Sequence, residues 1–71
     1  MNQDINKKVA TFIRNKRIAM GINQTDFAEM IFKDPKKQYW ISNIENGRGI
    51  TVDTLGRILE ALNCDIELIE Y

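Results

Sequence analysis

The sequence predicts an all-α fold: four to five short helices in a compact bundle, followed by a short carboxyl-terminal β-strand. Three observations predict it. Apolar residues recur at helical spacing from Ile5 to Leu62. Residues that start or stop helices, namely Gly21, Asn23, Gly47, Thr51 and Asn63, divide that stretch into helix-sized pieces. From Cys64 the pattern changes to alternating apolar and acidic residues, the period of a half-buried strand. Seventy-one residues at 44% hydrophobic make one domain, 1–71, near the lower limit of what a single core holds up alone. Dimerisation would relieve that shortage.

The first helix is expected over about residues 3–20, with Ile5, Val9, Phe12 and Ile13 on one stripe and Ile18 off it. Gly21 then supplies a left-handed carboxyl cap. The second helix, about 24–32, follows Asn23, whose side chain can accept from the free amides of the first turn, with Asp26 placed as in a capping box. Phe27, Met30 and Ile31 form its inward face, and Ala28 is small enough for another helix to approach. The third helix, about 37–46, turns Ile41 and Ile44 inward and stops at Gly47. After the Gly47-Arg48-Gly49 turn, Thr51 caps a fourth helix, about 52–62. Val52, Leu55, Ile58, Leu59 and Leu62 give it the cleanest amphipathic stripe in the chain.

The strand is expected over about 64–69, with a frayed helical extension or a disordered tail as the alternative. Nothing else in the chain reads as a strand. A lone strand leaves its amides and carbonyls unpaired, so the simplest partner is the same strand of a second copy. Cys64, Ile66, Leu68 and Ile69 would then carry dimerisation.

The chain is neutral overall, with ten Lys/Arg and ten Asp/Glu. Taken alone, neutrality weighs against nucleic acid, whose binders carry a basic excess. The distribution differs from the total. Residues 1–48 hold nine basic against five acidic side chains, a balance of +4; residues 49–71 hold Arg57 against five acidic ones, a balance of −4. Either two surfaces have two tasks, or the split is chance in a short chain. One cysteine excludes an intramolecular disulfide, and without histidine a structural zinc site lacks ligands. No metal or other cofactor is expected. No apolar run is long enough to span a membrane and no basic-then-apolar leader is present, so the chain reads as cytoplasmic, with no membrane partner. Cys64 has no evident activating neighbour and no paired carboxylates are suggested, so no catalytic residue is expected and an enzyme is improbable.

Two segments carry a resemblance. The first is Arg14-Asn15-Lys16-Arg17-Ile18-Ala19-Met20-Gly21-Ile22-Asn23-Gln24-Thr25-Asp26-Phe27-Ala28, and the second Ile41-Ser42-Asn43-Ile44-Glu45-Asn46-Gly47. A helix ended by glycine, a capped helix with an alanine, and a third helix ending Glu-Asn-Gly resemble the helix-turn-helix domains of phage repressors and the wider XRE family. The likeness covers about residues 9–62. It implies a sequence-specific DNA-binding regulator, with the third helix in the major groove.

The resemblance also implies site residues. Asn23 caps the second helix, and Gln24 matches a glutamine that bonds a DNA phosphate, a contact that fixes register without reading sequence. Outside the family, Gln24 is a solvated polar residue. With Ile41 and Ile44 inward, helical geometry turns Tyr39, Ser42, Asn43 and Asn46 outward. The base-contacting positions of the motif fall on Gln38, Tyr39 and Asn43. Gln and Asn suit adenine, each good bidentate pair being worth ~1–3 kcal/mol of discrimination. Asn46 and Arg48 match positions near the phosphate backbone, and Arg17 and Glu45 match an ion pair that joins helices one and three.

The turn departs from the family. Nine residues separate Ile31 from Ile41, about three more than the pattern holds, and Pro35 stands near a place where glycine is common. In one reading Asp34 caps an early start to the third helix, with Pro35 as its first residue. Lys37 would then face inward and have to snorkel. In the other, Lys33–Lys37 is a longer basic loop over phosphates. The early start is favoured. In both, Lys33, Lys36 and Lys37 lie beside the expected groove, where each phosphate neutralised steepens salt dependence. Trp40 reads as partly buried packing rather than an intercalating wedge.

The leading function is therefore an operator-binding homodimer that represses its own operon. The tail strand, in place of a fifth helix, looks like the HipB type of antitoxin, whose tail pairs across the dimer and which also holds a kinase-like toxin. A phage or plasmid repressor without a protein partner is the alternative within this class. From another class, a protein-interaction module that kept the fold and lost DNA binding fits the net neutrality and the altered turn.

Overall fold

The computed structural model describes residues 2–70, and the side chains from Ile5 onward. Four helices follow in order: α1 (Asn2–Ala19), α2 (Gln24–Phe32), α3 (Gln38–Glu45) and α4 (Val52–Ala61). A single 3-10 turn, Pro35–Lys37, leads directly into α3. The all-α class expected from the sequence is the class observed.

Local chemistry explains each boundary. The Asn23 side chain accepts from the Asp26 amide at 2.7 Å, and the Thr51 hydroxyl accepts from the Thr54 amide at 3.1 Å, so α2 and α4 both start on a side-chain cap. The ends of α1 and α3 share one motif. Gly21 and Gly47 stand at φ +70° and +79°, where a residue with a Cβ is strained. Their amides return to Ile18 and Ile44 at 2.9 Å, and the next amides, of Ile22 and Arg48, reach Arg17 and Asn43 at 3.5 and 2.8 Å. These are the paired 5→2 and 6→1 bonds that satisfy the last carbonyls of a helix. Asn63 does the same for α4 at φ +56°, its small amide side chain tolerating the left-handed region.

The core is small. Ile13 of α1, Phe27, Ala28 and Ile31 of α2, Ile41 and Ile44 of α3, and Ile58 of α4 form one buried cluster. Val9, Ile22, Met30, Phe32, Ile50, Leu55 and Leu62 close around it, half-buried. Ala28 is fully buried, as a small residue at a close helix approach must be.

Two apolar stripes extend beyond the core they were expected to join. On α1 the buried positions are Ala10 and Ile13, while Ile5 and Phe12 remain exposed. On α4, Val52 is 87% exposed and burial is complete only at Ile58 and Leu59. Ile5 lies near the amino end of an 18-residue helix about 27 Å long, more than the short α2 and α3 can cover; Phe12 sits beside buried Ile13 on the flank of the stripe, and Val52 is the first residue of α4. The strand expected over 64–69 is also not formed. Residues 64–70 run as coil, and among the described residues no strand is present, because a single copy holds no second strand to complete a ladder.

Candidate nucleic-acid interface

The central polar feature joins α1 to the carboxyl end of α3. Arg17 Nε donates to Glu45 Oε2 at 2.6 Å and Arg17 Nη2 donates to Glu45 Oε1 at 3.0 Å, a two-pronged pair. The third nitrogen, Nη1, donates to the Ile22 carbonyl at 3.0 Å, tying in the α1–α2 turn. Gln24 Nε2 then donates to Glu45 Oε1 at 3.2 Å. The two charged side chains are 14% and 4% exposed, so the carboxylate has exchanged water for three protein donors. The hydrogen bonds to Glu45 raise the Arg17 pKa above its ordinary value, against the opposing pull of desolvation. The pair is therefore fully charged throughout the neutral range on the arginine side.

Gln24 is accordingly neither freely solvated nor a lone cap neighbour. Its side chain is half-buried and one amide hydrogen is committed to Glu45. Asn46, at the end of α3, donates its side-chain amide back to the Ser42 carbonyl at 2.9 Å. Ser42 itself is half-buried, on the flank of α3 rather than on its outer face.

The outer face of α3 presents Gln38, Tyr39, Trp40 and Asn43 to solvent. Tyr39, Trp40 and Asn43 line one open cleft of about 490 Å³, together with Arg48 and the start of α4 at Thr51–Thr54. Gln38 is held from α2: the Thr25 hydroxyl donates to its Oε1 at 3.4 Å.

The lengthened turn takes the early-start form. Asp34 is the cap, accepting from the Lys36 amide at 2.9 Å, and Pro35 opens the 3-10 turn that runs into α3. Lys37 is half-buried, yet its ammonium is not in apolar surroundings. Nζ lies 5.3 Å from the Trp40 ring and 5.8 Å from the Phe32 ring, whose π faces receive the charge. Phe32, Trp40 and Tyr39 stand edge-to-face in series, at 5.6 and 6.1 Å between ring centroids. Trp40 thus packs on Phe32 while keeping one side in water.

The three lysines of the turn do not form one patch. Lys36 is exposed and Lys37 lies against the aromatics. Lys33 closes α2 in the left-handed conformation at φ +60° and lines a separate hollow with Arg57 and Glu60 of α4. Sequence patterning missed two residues that the fold brings to this side: Thr25, which orients Gln38, and Arg14, which shares an open cleft with Arg17, Gln24, Glu45 and Asn46. Their signals were positional only: Arg14 lies one helical turn before Arg17, and Thr25 follows Gln24.

Residues 41–69 of the 71 match the model of the helix-turn-helix family. Over that stretch, 29 of 71 residues, the chain is similar to helix-turn-helix domains of the XRE type. Such domains belong to DNA-binding transcriptional regulators. The matched stretch begins at Ile41, just after the lengthened turn, and includes the tail that lies beyond the likeness read from residues 9–62. No curated protein and no solved structure matches the chain. Among the described residues no helix is long and apolar enough to cross a membrane, and no group of side chains is arranged to hold a metal ion.

Proposed function

We propose that this protein is an autoregulatory repressor that binds its operator as a homodimer, laying α3 in the major groove. One observation carries the reading. The exposed side of α3 presents Gln38, Tyr39 and Asn43, side chains suited to base edges, on a helix whose far end is pinned to α1 by the Arg17–Glu45 pair. Lys36, Lys37 and Arg48 flank that face, where phosphates would lie on either side of the groove. Asn23 and Gln24 add the start of α2 as a backbone contact, with Asn46 and Ser42 near its edge.

Dimerisation rests on the tail. Ile66, Leu68 and Ile69 are exposed, Leu68 at 89%, on a coil segment that pairs with no strand, beside half-buried Cys64. Pairing of two such tails would cover these side chains and satisfy both backbones. This feature also favours the antitoxin reading, in which the same dimer holds a cognate toxin protein.

The test is charge reversal. Lys36→Glu with Lys37→Glu is expected to abolish binding to DNA from upstream of the protein's own reading frame. If the doubly substituted protein binds that DNA as the parent does, the assigned face is wrong. If the parent itself shows no preference over scrambled duplex, a protein-interaction module is the better reading.

A further inference from the structure

We infer that Trp40 is a specificity-determining residue: its exposed edge meets the C5-methyl group of a thymine in the stretch of major groove that Asn43 reads. The inference rests on the DNA-binding reading above and adds to it a residue that would otherwise serve only as packing.

Trp40 is fixed before any ligand arrives. Its ring stands edge-to-face with Phe32 of α2, at 5.6 Å between centroids and 67° between planes, and the Lys37 ammonium lies 5.3 Å from its centroid. Both partners belong to the end of α2 and the lengthened turn, so this arrangement follows from the three or so extra residues in that turn. The packing does not cover the indole. Trp40 remains 39% exposed and lines the open cleft with Tyr39, Asn43 and the start of α4. A large apolar side chain already held in one place loses little freedom on binding, which is what a contact surface requires.

Spacing names the ligand. Asn43 follows Trp40 by three residues, so the two side chains are neighbours on α3, about 5–6 Å apart at Cβ. In the major groove an A·T pair shows the adenine N7 and N6 amine on one side, and the thymine O4 and C5-methyl on the other. The Asn43 amide suits the adenine edge, accepting from N6 and donating to N7. An indole is apolar apart from its one N–H, and the thymine methyl is the apolar group that the major groove offers. The pair of side chains therefore matches A·T sequence, Asn43 through polar atoms and Trp40 through the methyl. Deoxyribose also takes apolar contacts, but without regard to sequence.

The experiment removes the methyl instead of the protein. The duplex upstream of the reading frame is made twice, once with thymine and once with uracil at every thymine position, which keeps the base pairing and deletes only the methyl groups. Binding of the full chain, Trp40→Ala and Trp40→Phe is followed by fluorescence anisotropy, with a scrambled duplex alongside. The parent is expected to prefer the thymine duplex by roughly fourfold for each methyl covered, the effect of one buried carbon. In Trp40→Ala that preference should fall by roughly fourfold per site, and Trp40→Phe should keep part of it. Alanine also removes the contact with Phe32, so melts are recorded, and the chain's one tryptophan supplies a readout that needs no variant. Its emission in the parent is expected to change when the upstream duplex saturates the protein. A thymine preference as large in Trp40→Ala as in the parent, or emission that the duplex leaves unaltered, overturns the inference while leaving the DNA-binding reading intact. Equal weakening on thymine, uracil and scrambled duplexes makes Trp40 a structural or sugar contact and likewise overturns it. A parent that does not distinguish upstream from scrambled duplex overturns both.

Discussion

The two ends of α3 are held by different chemistry. At the carboxyl end, Glu45 is buried and takes three donors from α1 and α2, and Gly47 turns the chain away in a conformation only glycine adopts freely. At the amino end, a 3-10 turn, the Asp34 cap and a lysine resting over aromatic faces hold the chain. The first end is specified by charge pairs that fail if one member is lost. The second is specified by several contacts of about 1 kcal/mol or less each, any of which can be exchanged. The contrast teaches where change is tolerated: the entry to α3 can lengthen, while its exit stays anchored.

Substitutions at the two ends should differ in size accordingly. Glu45→Ala strands the Arg17 guanidinium in a mostly buried site and is expected to cost about 3 kcal/mol in urea unfolding. Pairing it with Arg17→Ala should cost far less than the sum of the single losses, because no charge is then left unmatched. An additive pair would show that the two groups do not depend on each other. At the entry, Asp34→Ala should cost only about 1 kcal/mol, the worth of one helix cap. A loss as large as that at Glu45 would place the two ends on an equal footing and break the comparison. Smallest of all, Lys33→Gly should stabilise the fold by about 0.5–1 kcal/mol, since glycine relieves the left-handed strain at φ +60° but adds freedom to the unfolded chain. The tail adds a further contrast. Deleting Asp65–Tyr71 should leave the helical melt near that of the parent while converting dimers to monomers in sedimentation. A truncated protein that stays dimeric would place the interface elsewhere.

The fold was legible where its determinants are local. Gly21, Asn23, Gly47, Thr51 and Asn63 act within four residues of themselves, so their residue types suffice to read them. Burial was legible only in part. Periodicity shows that Ile5 and Phe12 share a face with Val9, but not how far along α1 another helix reaches; the same limit applies to Val52. The alternation over 64–69 has the period of a strand, but the segment runs as coil, with no second strand beside it to complete a ladder. In the turn, Asp34-Pro35 read as a helix start, yet the 3-10 form and the aromatic rest for Lys37 depend on Phe32 and Trp40 meeting in space. The site was legible as a set of exposed polar residues on α3. The bond from Gln24 to Glu45, 21 residues apart, and the one from Thr25 to Gln38 have no sequence signature.

The central claim is that α3 reads DNA. Fluorescence anisotropy of the protein against the duplex upstream of its own reading frame, beside a scrambled duplex and across a salt series, tests it most directly. The account predicts binding that prefers the upstream duplex and weakens steeply as salt rises. Equal, feeble binding to both duplexes at every salt concentration would contradict it.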